Sequence, residues 1–154
     1  MNLPSEQSWP KRNPVLKDLD VLAGEWNLAG AHPAIPGKVR GHASFGWVED
    51  GAFLIWHTDF ERPGPPSSIA VVGRDDSVGA YSMLYFDERG VSRIYGLSLE
   101  DGAWKMWRSA PGFSQRMTGT ISDDRSTIII HGEKSSDGSN WEPDLDLTYT
   151  RVRQ

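Results

Sequence analysis

The sequence, 154 residues long, contains no cysteine. Disulfide frameworks, thiol nucleophiles and cysteine-based zinc sites are thereby excluded. Histidine is scarce: there are four, scattered, with none of the spacings that hold a metal. Positive charge is not in excess, since 16 Lys and Arg stand against 21 Asp and Glu for a formal net charge of −5. A basic surface for nucleic acid or anionic lipid is not expected. No apolar run approaches the roughly 20 residues that span a bilayer. The opening stretch MNLPSEQSWPKRNP lacks the apolar centre of a signal peptide. The expectation is a cytoplasmic protein without nucleic-acid or membrane partners. Several catalytic templates are missing too: no Gly-x-Ser-x-Gly elbow, no P-loop, no His-Glu-x-x-His.

What is abundant is punctuation, with 16 Gly and 10 Pro. Turn-forming clusters stand at 31–37, 49–51, 62–67, 74–79, 87–90, 100–102, 110–112, 122–126 and 134–143. Between them apolar and polar residues alternate, as in half-buried strands. These breaks leave about ten strands joined by short links, which pair in order. Left open, such a meander exposes two long edges. Closure into an antiparallel up-and-down β-barrel removes them. The fold class is therefore all-β, with residues 15–154 as one barrel domain and 1–14 as an extended segment, of which residues 1–12 are expected to be poorly ordered unless Trp9 docks. One stretch reads as helix. Asn13 caps it, Pro14 fits its first position, Leu16, Leu19 and Leu22 recur at three-residue spacing, and Gly24 stops it. It is expected to plug one end of the barrel.

In a meander, alternate turns share an end. The turns at 49–51, 74–79, 100–102 and 122–126 are tight, and each holds an acidic pair: Glu49–Asp50, Asp75–Asp76, Glu100–Asp101 and Asp123–Asp124. No twelve-residue EF-hand pattern for calcium is present, so these pairs read as hairpin chemistry at a closed base. The remaining breaks include AHPAIPG (31–37), read as a long loop, and they form the mouth.

Leu22-Ala23-Gly24-Glu25-Trp26 opens the first strand after the helix. A Gly-x-Trp at this place resembles the signature of the calycins, the lipocalins and their relatives. The resemblance implies that the Trp closes the barrel base under a basic residue of the last strand. Turn parity brings LDLTYTRVR (145–153) to the same end, so Arg151 or Arg153 would cover Trp26. LAGEWN, GHASFGWVEDGAFLI, GAYSMLYFD and DLTYTRVR further resemble short bacterial calycin-like proteins of unknown function. A more distant similarity is to nitrobindin-like haem proteins, ten-stranded barrels whose last strand opens with a haem-ligating His after a Pro. Here that stretch is Glu142-Pro143-Asp144-Leu145, and a carboxylate stands in place of the imidazole; no cofactor is therefore expected.

A barrel of more than eight strands leaves room for a small ligand. Facing depends on register. On the third strand Leu54, Trp56, Thr58 and Phe60 form the more apolar face and are assigned inward. His57 and Asp59 then point out; in the opposite register they form an acid–base pair near the mouth. On the fifth strand Tyr81, Met83 and Tyr85 alternate with Ser82, Leu84 and Phe86, and neither set is clearly internal. Tyr95, Trp104, Met106, Gln115, Met117, Leu145, Leu147 and Tyr149 are assigned inward, with Arg108 near the mouth, where it suits a carboxylate or phosphate. His42 and His131 are assigned outward, and His32 over the mouth. Trp56, Thr58, Tyr85, Tyr95, Trp104, Met106, Arg108 and Met117 are the expected contacts for a small, mostly apolar ligand. The alternative is a cofactor-free isomerase or cyclase using His57 and Asp59, and a third reading is haem binding. Outward aromatics such as Phe53 or Trp107 suit a homodimer interface.

Overall fold

The computed structural model describes residues 13–153; the expectation of disorder for the first twelve residues, and Trp9 with it, lies outside them. Ten antiparallel strands close into one barrel, each paired with its neighbours in sequence and β1 with β10. They are β1 (Gly24–His32), β2 (Ile35–Val48), β3 (Phe53–Phe60), β4 (Ser68–Asp75), β5 (Ala80–Asp87), β6 (Ser92–Glu100), β7 (Ala103–Arg108), β8 (Ser114–Ile121), β9 (Thr127–Ser135) and β10 (Glu142–Arg151). Among the described residues no helix is long and apolar enough to cross a membrane.

Among the described residues the single helical segment, Pro14–Leu22, is a 3-10 helix capped by Asn13, whose side chain accepts a hydrogen bond from the Val15 N–H. Its leucine spacing accounts for this choice. Residues three apart eclipse in a 3-10 helix, so Leu16, Leu19 and Leu22 form one stripe, and all three are buried against the barrel. Tyr81 secures the helix start by donating its hydroxyl to the Val15 carbonyl at 2.9 Å.

The base closes on Trp26, which is fully buried and donates its indole N–H to the Leu22 carbonyl at 2.9 Å. Arg151 stands directly across the β1–β10 ladder, with its guanidinium carbon 4.1 Å from the Trp26 ring centroid. Its Nη1 and Nη2 donate to the Ala23 and Val21 carbonyls, each at 2.6 Å, and its Nε to the Arg125 carbonyl at 3.0 Å. One cation thus satisfies acceptors left over at the helix C-terminus. Gly24 permits the arrangement: its φ is +119°, and a Cβ there would lie 3.0 Å from Arg151 Nη1. The tight turns of this end behave as hairpin chemistry. Asp75 accepts from the Ser77 N–H and hydroxyl, and Asp124 accepts from the Ser122 and Ser126 hydroxyls and the Ser126 N–H, which hold its carboxyl down at about 2.

Above this base an aromatic stack fills the lower barrel. Trp26 meets Tyr149, Tyr149 meets Trp104 edge-on, and Trp104 packs on Phe45 and Trp56 at 5.8 and 5.0 Å between centroids. The β5 ambiguity resolves with Tyr81 and Met83 buried and Leu84 and Phe86 exposed. At the other end, residues 31–37 are not a long loop. β1 runs on to His32 and β2 begins at Ile35, so the chain turns over Pro33 and Ala34 alone. Pro36 and Gly37 read as breakers, but both sit in an exposed hairpin arm, where proline is tolerated.

Candidate functional site

Above the aromatic stack the barrel is open, with a cavity of about 300 Å³ at the mouth end. Period-two alternation puts its walls in place. Trp56, Thr58 and Phe60 come from β3, Met83 and Tyr85 from β5, Tyr95 from β6, Met106 from β7, and Met117 from β8. Trp56 and Tyr149 reach it from the stack below, and Pro65, Pro66 and Phe113 border it from the mouth loops. These are the apolar and thioether surfaces expected of a pocket for a flexible apolar molecule.

At the rim several polar groups are joined. Asp144 carries the junction, with its side chain 11 % exposed. Its Oδ1 is 3.0 Å from His32 Nε2, and its Oδ2 accepts from Gln115 Nε2 at 2.9 Å. Gln115 Oε1 in turn accepts the Tyr95 hydroxyl proton. The network assigns every hydrogen. The Ala34 N–H donates to His32 Nδ1 at 3.0 Å, so that nitrogen carries the lone pair, and Nε2–H donates to Asp144. A carboxylate only accepts, which turns the Gln115 amide towards it and leaves Oε1 for Tyr95. Burial raises the Tyr95 hydroxyl above its ordinary value, against the opposing charges of Arg93 and Arg108. Beside it, Tyr85 sits edge-on at 5.9 Å and donates to Asp87 Oδ2 at 2.8 Å. Asp87 has a fully buried side chain and also takes Nε and Nη2 of Arg89. The Arg89 guanidinium, aided by Tyr85, holds the Asp87 carboxyl well below the usual range, while burial and the bond to Asp87 push the Tyr85 hydroxyl up.

Asp144 is the residue that alternation misplaces. With Leu145 and Leu147 inward, it should point out. The β9–β10 register shifts between Pro143 and Asp146, and both Asp144 and Leu145 line the cavity. Bulges re-aim side chains in this way. Two glycines make room for the displaced backbone. A Cβ at Gly30 would lie 1.8 Å from the Asp146 carbonyl oxygen, and one at Gly132 would lie 2.7 Å from that of Leu145. The glycines on the strands flanking β10 were the available signal.

Of the expected contacts, Trp56, Thr58, Tyr85, Tyr95, Met106 and Met117 line the cavity. Trp104 does not; it is buried beneath Trp56 in the stack. Arg108 is not on the lumen wall either. It ends β7 at the rim and, with Arg93, lines a groove on the outer side of the barrel. His57 and Asp59 face outward from β3, 47 % and 65 % exposed and 3.6 Å apart. That position corrects their reading as an acid–base pair for a lumen substrate. His131 is likewise outward, paired with Asp146 at 2.6 Å.

Haem, which the nitrobindin-like resemblance implies, does not fit the residues present. His32 is the histidine lining the cavity, both of its ring nitrogens are engaged, and Asp144 spends its oxygens on His32 and Gln115. Neither offers iron a free imidazole lone pair.

No protein-family model matches this sequence, and no curated protein matches it. Among solved structures the chain is similar to the crystal structure of Rv2717c from M. tuberculosis, with a TM-score of 0.65 and 16 % identity, covering 92 % of this chain and 99 % of that one. At that identity the likeness shows the closed-barrel fold alone.

Proposed function

We propose that this protein is a calycin-like binding protein that holds a small, mostly apolar molecule in the upper barrel. The observation that carries the reading is the cavity itself: about 300 Å³, floored by Trp56 and Tyr149, walled by Met83, Met106 and Met117, with its charged residues at the rim. A barrel evolved only for packing would extend the aromatic stack to the mouth, as it does at the base. The Gly24-x-Trp26 start and the Arg151 clamp support the calycin relationship. The isomerase alternative loses its proposed pair, since His57 and Asp59 lie on the far side of the wall.

Native mass spectrometry of freshly purified protein, set against the denatured mass, tests the binding reading. A bound apolar molecule adds mass that disappears on denaturation. With bare protein, the neutral dye Nile red should bind at one site per chain, and a Met106→Trp variant, which fills the cavity, should abolish that binding. Undiminished binding to the variant overturns the reading.

A further inference from the structure

Among the described residues three arginines are paired with carboxylates: Arg62 with Glu88, Arg89 with Asp87 and Arg116 with Glu133. Arg93 and Arg108, like Arg40, Arg74, Arg125, Arg151 and Arg153, are not, and what sets these two apart is their place at the mouth. Among the described residues neither forms an ion pair, although both sit at the mouth beside Tyr95. Arg93 lies 4.6 Å over the Phe113 ring, a contact that orients the guanidinium without neutralising it. Arg108 has its Nε buried with no acceptor. A buried donor on a cation is costly to leave unmet, and such a group marks a place for a partner. Arg93 also belongs to two surfaces at once. It lines the lumen cavity, and with Arg108, Ser92 and Ser109 it lines the outer groove. The rim between β6 and β7 is therefore where an apolar chamber meets two guanidinium groups without a carboxylate partner and two hydroxyls.

The charge balance selects the ligand. Among the residues lining the lumen cavity Arg89 is matched by Asp87, and Asp144 is the one carboxylate. Two unpaired arginines against one carboxylate leave a single positive charge in excess. We propose that the bound molecule is an amphipathic monoanion, its carboxylate held between Arg93 and Arg108 and its apolar tail in the barrel. This inference rests on the lumen-binding reading above. Arginine suits the role because its planar donors match a carboxylate in pairs.

Calorimetric titration with octanoate and with 1-octanol, chains of equal length that differ in charge, separates the two claims. The expected result is that the intact protein binds octanoate more tightly, on the order of ten-fold or more. In Arg93→Gln/Arg108→Gln the ratio of the two affinities should fall towards one, with far-UV circular dichroism confirming the fold. If the double variant does not fold, the single variants Arg93→Gln and Arg108→Gln should each reduce the ratio. Equal binding of both molecules by the intact protein, or a preference that survives the substitutions, overturns the rim site while leaving the lumen reading intact. Binding of neither molecule overturns both. Octanoate binding that persists in Met106→Trp would place the tail in the outer groove and overturn the proposal as stated.

Discussion

His32 and Asp144, 112 residues apart in sequence, meet at 3.0 Å on the rim of the barrel. The contact ties the β1–β2 hairpin arm to the bulge that opens β10, and Gln115 extends it to Tyr95 on β6. Removing its centre leaves donors on His32 and Gln115 without their acceptor. Asp144→Ala should therefore cost about 1–3 kcal/mol, read by urea denaturation, with Asp144→Asn losing less. Long-range ¹H–¹⁵N NMR of the imidazole should show His32 protonated at Nε2 and bare at Nδ1. The opposite tautomer contradicts the network.

The bulge requires glycine on both sides. Gly30→Ala would drive a methyl group into the Asp146 carbonyl, 1.8 Å away. The expected loss is about 3 kcal/mol or more, seen as a lower denaturation midpoint. Gly46→Ala is the control, since nothing lies within 4 Å of its added Cβ. It should stay within about 0.5 kcal/mol of the parent.

Trp26 and Arg151 make a separate prediction for the base. Arg151→Ala removes three hydrogen bonds to carbonyls and the ring contact. A loss of about 2–4 kcal/mol is expected, lowering the thermal midpoint by roughly 5–15 °C for a domain of this size. Arg151→Lys keeps the charge but not the fork of donors, and it should recover only part of the loss.

How much of this was legible depended on regularity. Strand number, closure, the buried leucine stripe and the meeting of Trp26 with the end of the last strand follow from periodicity and turn parity, which need no knowledge of distant contacts, while the choice of Arg151 over Arg153 comes from the β1–β10 register. The cavity walls on β3, β6, β7 and β8 follow for the same reason. Asp144 does not, because one bulge reverses its facing while its neighbours keep the pattern. Arg108 has the inward parity of Trp104 and Met106 on β7 yet lines the outer groove with its Nε buried, an outcome alternation alone does not give. β5 was ambiguous since its outward set, Leu84 and Phe86, is as apolar as its inward one. The arm at 31–37 carried turn residues in a place where a strand tolerates them.

Acid should probe Asp87. Its carboxyl is held below the ordinary range by Arg89 first and by Tyr85. A depressed folded pKa means that its stabilisation is present in full above the unfolded value, about pH 4, and is lost as pH falls through the lower folded value. Asp87→Asn should therefore lower stability at pH 7 and flatten the acid limb of the stability curve below about pH 4. An acid limb identical to the parent's would show that the buried ion pair carries no such linkage.

The central claim is that the upper barrel admits an apolar molecule to within contact of Trp56. Quenching of tryptophan fluorescence by a neutral brominated alkanol measures this directly, because heavy-atom quenching acts only at close range. The account predicts saturable quenching that largely disappears in Trp56→Phe, which keeps an aromatic cavity floor while removing the reporter. Quenching that rises linearly without saturation, or that is unchanged in Trp56→Phe, would contradict it.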